Sequence, residues 1–272
     1  MVSVSCFCVG KELLIGKTVN TNAHWIGARL FGIGTVIDRI LVVTDSLDEI
    51  SSGLNELLAR RPDFIIVIGG LGPTPDDMTL KGVALALGRK VEMNSEAVEM
   101  MKQYFAVAGR TFELTPARKK MAMLPERSTP LPNSTGTAPG VRIELPRTVV
   151  FCLPGVPREM KAIYKASVHK EIREKVGRLY TTKIVMHLAG VYESALAPWI
   201  AQALKSQPAA YIKSHPKGAK GGRSSVELDI VMVSPKKTEA ESETGRIASF
   251  FEDKIAGSAG SVLKKTAETV GR

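Results

Sequence analysis

Three glycines and two adjacent carboxylates crowd into IGGLGPTPDD, residues 68–77. Gly69, Gly70 and Gly72 lack Cβ atoms, so the backbone there can turn sharply and come close to a bound group. A helix starting directly afterwards would aim further free N–H groups at the same place, a geometry that suits phosphate. Asp76 and Asp77 would repel an anion unless a divalent cation lay between, and hard oxygen ligands are what Mg²⁺ prefers. The stretch therefore reads as a metal-assisted phosphate site. The competing reading makes Asp77 or Thr74 the N-cap of the helix, where Asp, Thr and acidic first-turn residues are favoured. Pro73 and Pro75 stiffen the loop, which suits a preorganised site better than a plain connector.

The elements around this stretch must hold it in place. Residues 64–68, FIIVI, form a β-branched apolar run that reads as a strand buried on both faces, as in a parallel sheet. Apolar residues at helical spacing over 78–87 stop at Gly88. Upstream, a strand over 2–10 leads into GKELLIG, where Glu12 is either a site residue or a solvated turn. A helix over 23–31, capped by Thr21 or Asn22, precedes a strand over 35–43. TDSLDEI opens a helix running to about residue 60. Its Asp45 is either a cap or a residue of the strand edge at which open parallel sheets place ligands.

Further on come a strand over 89–93, helices over 95–107 and 117–123, and a strand over 148–153. LPNSTGTAPG, 131–140, is a loop whose small hydroxyl and glycine residues suit a ribose or phosphate oxygen, or simply a turn. PGVPREM leads into a helix over 158–176, with Pro157 in its first turn and Arg158 able to meet a phosphate or a neighbouring acid. Strand and helix alternate throughout, which predicts an α/β fold: a three-layer, doubly wound, mostly parallel sheet.

Composition shifts near Gly177, dividing residues 1–177 from 178–272. Segments 183–189, 193–204, 209–214, 224–233 and 236–255 read as β, α, β, β, α, a second, smaller α+β domain, with 266–272 as a frayed end. Gly218 and Gly221 match the spacing of the KH nucleic-acid clamp, but that clamp joins two helices and here two strands flank it, so a flexible basic hairpin tip is expected. The net charge of +10 over 272 residues favours anionic partners in general. Lysines and arginines are spread along both halves, and no nucleic-acid stripe is evident. Cys6, Cys8 and Cys152 sit in apolar runs as small buried hydrophobes, with no disulfide framework. Residues 2–9 are too short to span a membrane and lack a signal leader, so a cytoplasmic protein with no membrane partner is expected.

On the motifs GKELLIGKTVNTN, VVTD, IGGLGPTPDDMT, NSTGTAPG and LPGVPREM, residues 2–176 resemble the competence/damage-inducible CinA family and its relatives in the molybdopterin-binding MoaB/MogA/MoeA superfamily. The resemblance implies a three-layer α/β fold with its ligand over the strand ends. Some CinA-like proteins cleave ADP-ribose to AMP and ribose 5-phosphate with a divalent metal, whereas MoaB/MogA relatives bind molybdopterin and activate it by adenylylation. Carried over by position, Gly69, Gly70, Gly72 and Thr74 would line the phosphate. Asp77 and Asp45 would hold a metal such as Mg²⁺, and Asp77, Asp76 and Asp45 would be the catalytic carboxylates. Glu12, Asn20 and Asn22 would border the pocket, and Gly136, Thr137, Pro154, Gly155 and Pro157 would close its other side. Asn20 stands where the family commonly has Asp, and Thr44 where Gly usually precedes the Asp matched by Asp45.

The second domain is similar to the KH-like middle domain of CinA-like proteins, and their C-terminal deamidase domain is expected to be absent. The leading function implied is a metal-dependent hydrolase of a nucleotide diphosphate bond, ADP-ribose above all. Its rivals are a molybdopterin-binding protein of molybdenum cofactor metabolism and a non-catalytic nucleotide- or RNA-binding module using Lys217, Lys220 and Arg223. A homo-oligomer, dimer or trimer, is expected, and a nucleic-acid partner is not.

Overall fold

FIIVI does become a fully buried strand inside a parallel stretch of sheet. In the computed structural model, which describes residues 2–220 and 223–271, the chain forms two compact units, residues 1–31 with 35–176 and residues 32–34 with 177–272. The first unit runs β1 (Ser3–Val9), α1 (Lys11–Leu14), α2 (Thr21–Gly32), β2 (Val36–Val43), α3 (Leu47–Ala59), β3 (Phe64–Ile68), α4 (Thr79–Ala86), β4 (Val91–Met93) and α5 (Ser95–Val107). It continues with α6 (Pro116–Met121), β5 (Met123–Pro125), β6 (Ser128–Leu131), β7 (Gly140–Glu144), β8 (Val149–Leu153), α7 (Pro157–Ile163), a π turn (Tyr164–Val168) and α8 (His169–Val176).

The main sheet has the order β2-β1-β3-β8-β7-β6. β2, β1, β3 and β8 are parallel, and β7 and β6 extend the sheet antiparallel. Every residue of β3 is buried, and burying such side chains stabilises by roughly 1.5–3 kcal/mol each. That explains why this run takes the middle of the sheet. Phe7, Ile65, Val67 and Cys152 join Ile50, Leu54, Leu57 and Val83 from α3 and α4 in one core layer. The alternate residues Cys6, Cys8, Ile66 and Phe151 are equally buried, and on their side Trp25 of α2 meets Tyr164 of the π turn edge-on at 5.4 Å. All three cysteines are free and buried, and burial pushes the Cys152 thiol up to about 12.

Several sequence expectations need correcting. The cap of α2 is Asn20, whose Oδ1 accepts from the Ala23 N–H at 3.1 Å, rather than Thr21 or Asn22. GKELLIG contains the short helix α1. The strand expected over 89–93 is confined to β4, which pairs with β5 in a separate two-stranded sheet. β5, β6 and β7 are additional, so the stretch expected as a loop over 131–140 connects two antiparallel strands, with Leu131 and Gly140 themselves paired in the sheet.

The second unit comprises β9 (Tyr180–Ala189), α9 (Glu193–Ser206), β10 (Tyr211–Lys220), β11 (Arg223–Ser234), α10 (Lys237–Ala256) and β12 (Ser261–Gly271). Its antiparallel sheet has the order β10-β11-β9-β12, the connectivity of the split βαβ motif. Met186, Leu188, Leu228, Ile230 and Phe251 fill its core. The segment expected to fray is strand β12 as far as Gly271, because its backbone completes a ladder with β9. Gly218 lies in a strand–strand hairpin, not the helix–helix junction of a KH clamp. Gly221 and the side chains of Lys220 and Arg223 lie outside the described residues, while Lys217 lies 3.4 Å from Glu227. No described helix is long and apolar enough to cross a membrane.

Candidate functional site

Parallel pairing brings the C-terminal ends of four strands to one rim, with Val9 level with Val43, Cys8 with Ile68, and Ile68 with Leu153. Open parallel sheets bind ligands at such rims. A cavity of about 420 Å³ lies there, lined by Glu12, Asp45, Gly69, Gly70, Gly72, Asp76, Asp77, Thr137, Pro154 and Gly155 among the candidates, together with Glu159. Asn20, Asn22, Thr74, Gly136 and Pro157 are not among the lining residues, and each has a supporting place. Asn20 Nδ2 donates to Cys8 Sγ at 3.2 Å. Asn22 Nδ2 donates to the Gly155 carbonyl at 2.8 Å and so holds the β8–α7 turn. Pro157 is the first residue of α7.

The glycine loop is built from backbone constraints. Gly69 and Gly70 have φ of 106° and 65°, in the left-handed region that side-chain-bearing residues avoid. A Cβ at Gly69 would strike the Val9 carbonyl oxygen, and one at Gly70 would strike Thr79 Oγ1. Thr79 Oγ1 is itself buried with no hydrogen-bond partner. The Gly69 N–H completes the ladder to the Leu153 carbonyl at 3.0 Å, but the N–H groups of Gly70, Leu71 and Gly72 find no acceptor among the described residues.

The loop's carbonyls, by contrast, are occupied. Gly70 O accepts from the Thr79 N–H at 3.2 Å. Lys120 Nζ, from α6, donates to the carbonyls of Gly72, Thr74 and Asp77 at 3.0, 2.6 and 2.7 Å. Burial lowers the Lys120 pKa, while the charge of Asp77 acts the other way. One ammonium thus gathers three loop carbonyls and leaves three successive amides unspent, and successive backbone N–H groups are the raw material of an anion nest. A second cavity, of about 360 Å³, shares Gly70, Leu71, Gly72 and Asp77 with the first and is otherwise lined by Lys81, Lys119 and Lys120 with Leu80, Val91, Pro116 and Met123.

The carboxylates are held individually. Asp77 Oδ2 accepts from the Thr74 N–H at 2.9 Å and from its hydroxyl at 2.6 Å. The same hydroxyl lies 2.5 Å from Asp76 Oδ1, and this hydrogen bond leads the causes that lower the Asp76 pKa. A hydroxyl has one proton, so the two acids compete for it. Neither Thr74 nor Asp77 caps α4, whose N-cap is Met78 with no side-chain bond. Asp45 Oδ2 accepts from the Lys11 N–H at 2.9 Å, securing the start of α1 and with it Glu12. Among the described residues no group of three His, Cys, Asp or Glu could hold a metal ion.

Two residues of this site escaped the sequence reading. Glu159, in the first turn of α7, lines the cavity and accepts from Asn133 Nδ2 at 2.7 Å. Asn133 Nδ2 also donates to the Ala138 carbonyl at 2.8 Å, and a Cβ on Gly136 would strike the Glu159 carboxylate. Burial, its leading cause, raises the Glu159 pKa. The signal lay in two motifs read separately, NSTG and PREM, in which Gly136, Pro157 and Arg158 stood out but Asn133 and Glu159 did not. Lys120 was hidden in a basic run that reads as a solvated helix face.

Residues 5–174 match the family described as a probable molybdopterin binding domain. The chain belongs to this family. A protein of Pyrobaculum arsenaticum is 40% identical over 240 residues, covering 88% of this chain and 89% of that relative. One from Aeropyrum pernix is 40% identical over 235 residues, covering 86% and 87%. Among solved structures, the protein CinA of unknown function from Thermoplasma acidophilum is 41% identical with a TM-score of 0.57, covering 62% of this chain and 98% of that chain. Every residue of the rim cavity, from Val9 to Glu159, falls inside the family span.

Proposed function

We propose that the rim cavity binds a small molecule through its phosphate, and that this molecule is molybdopterin. The observation that carries the reading is the row of three unspent amides at Gly70, Leu71 and Gly72 beside a buried strand end. An oxyanion is the ligand that satisfies several convergent backbone donors at once. The family supports the pterin as its bearer. Molybdopterin in excess should raise the melting temperature, since a ligand at a hundred times its Kd stabilises by roughly 2.7 kcal/mol. No shift with molybdopterin, where a fluorescence titration also shows no binding, rejects this reading.

A second reading, hydrolysis of a nucleotide diphosphate such as ADP-ribose, is favoured by Glu159, a half-buried carboxyl with a raised pKa on the same cavity wall. Groups so perturbed in a cleft are candidates for moving protons. The loop amides would hold the phosphoryl oxygens, Asn133 would orient Glu159, and Glu159 would take a proton from water. The acids suit a divalent cation carried in with the diphosphate better than one resident on the protein, because Mg²⁺ needs only one or two carboxylates beside phosphate oxygens. Bound there, it would neutralise charge on the diphosphate. Incubation with ADP-ribose and Mg²⁺ should release AMP, and Glu159→Gln or Asp77→Ala should reduce the rate at least ~100-fold. No AMP from the native chain dismisses hydrolysis and leaves pterin binding standing.

A further inference from the structure

The sheet of the second unit ends on two unlike edges. β10 carries Pro216, a left-handed Gly218 and a register shift between Pro216 and Ala219, so its outer edge is interrupted. β12 is last in the sheet order on the opposite side, is 11 residues long, contains no proline, and has one irregularity, near its start between Val262 and Lys264. An intact edge of that length is a template for another strand unless something guards it.

Side-chain placement along β12 follows from its register. Lys265 and Ala267 stand opposite Met186 and Ile184, which belong to the core under the helices. Lys264, Thr266 and Glu268 stand opposite His187, Val185 and Lys183 on the other face, and all three are exposed. Lys265 is tied to Glu252 of α10 at 2.8 Å. Neither Lys264 nor Glu268 forms an ion pair among the described residues. They sit two residues either side of Thr266, on one face.

We propose that two copies of this chain pair antiparallel through β12, with Thr266 on the two-fold axis. In that register Lys264 of each copy faces Glu268 of the other, and the small Thr266 faces itself. Cross-strand pairs of opposite charge stabilise a sheet, and a two-fold interface is self-complementary by construction. Lysines alone would guard the edge by repelling a second copy. Glu268, placed symmetrically to Lys264, converts the repulsion into attraction. β12 and the ligand cavity of the first unit have no residue in common, so the pairing stands whether or not that cavity binds a pterin.

Sedimentation equilibrium on the full chain tests it. The native protein should self-associate, and Lys264→Glu or Glu268→Lys should each weaken the association about tenfold by setting like charges opposite each other twice. The double exchange, Lys264→Glu with Glu268→Lys, should restore it. A native protein of single-chain mass at every concentration overturns the proposal, as do single variants that associate like the native chain or a double exchange that does not recover. Amide exchange on the native chain gives a readout free of substitutions. Protection in β12 should rise with protein concentration, and protection that stays constant overturns the pairing.

Discussion

Glu159 is half-buried, and burial makes its charged form costly. Its raised pKa fixes the sign of a pH effect. The stability tied to the neutral carboxyl is fully present below the ordinary glutamate range and is lost as pH rises through the raised value. Glu159→Gln keeps an oxygen for Asn133 and removes the charge. We therefore expect the variant to melt higher than the native chain at neutral pH and close to it at pH about 4, as measured by calorimetry at both. An equal difference at the two pH values would mean that ionisation of Glu159 is not penalised. Lys120 acts through the backbone it gathers. Lys120→Met leaves three loop carbonyls without their donor and should cost about 1–3 kcal/mol, with faster amide exchange over residues 70–79. Lys120→Arg, which keeps a charge and several donors, should recover part of both. Unchanged exchange in the Met variant would show that the loop holds its shape unaided.

At the scale of elements, the β3–loop–α4 unit shows how tightly backbone conformation is determined. At Gly69 an added methyl meets the Val9 carbonyl, which belongs to the neighbouring strand and cannot yield without breaking the sheet. Gly69→Ala should therefore cost about 3 kcal/mol or more, combining left-handed strain with overpacking. Gly88 also has positive φ, 61°, but has nothing within 4 Å of an added Cβ. Gly88→Ala should cost only about 1 kcal/mol. Urea unfolding of both separates strain from collision, and equal losses would refute the steric account. This unit was legible in the sequence because five buried β-branched or aromatic residues, a glycine cluster and a periodic helix are all local signals. β5, β6 and β7 were not. They are three to five residues long, Pro125 and Pro130 argue against strand, and their pairing is imposed by neighbours in space. β12 was missed for a related reason. Its side chains are mostly exposed on both faces, so no alternation marks a strand held by its backbone ladder. The rim acids Glu12, Asp45, Asp76 and Asp77 could be read as candidates because each follows a parallel strand, and all four line one cavity. Glu159 and Lys120 escaped because their partners, Asn133 and the loop carbonyls, lie far away in sequence.

Taken as a whole, the molecule sets two fields against each other. Its 37 lysines and arginines exceed 27 acids, for a net charge of +10, while the rim cavity gathers Glu12, Asp45, Asp76, Asp77 and Glu159. An approaching anion is attracted at a distance and resisted on arrival, and the two effects respond to different ions. The distant attraction is screened by salt, with a Debye length of about 10 Å at 0.1 M and about 3 Å at 1 M. The local resistance is relieved by a divalent cation lodged among carboxylates and phosphate oxygens. For a diphosphate probe such as ADP-ribose, raising KCl from about 20 mM to about 500 mM should slow association roughly tenfold, within the range of electrostatic steering. Removing Mg²⁺ with a chelator at constant ionic strength should instead weaken equilibrium affinity. Stopped-flow association measured with and without the chelator distinguishes the two. A rate indifferent to KCl would mean that the spread-out lysines do not steer. An affinity indifferent to the chelator would mean that the three loop amides outweigh the rim acids without a cation, and the carboxylates would then be left with proton transfer and loop geometry as their roles.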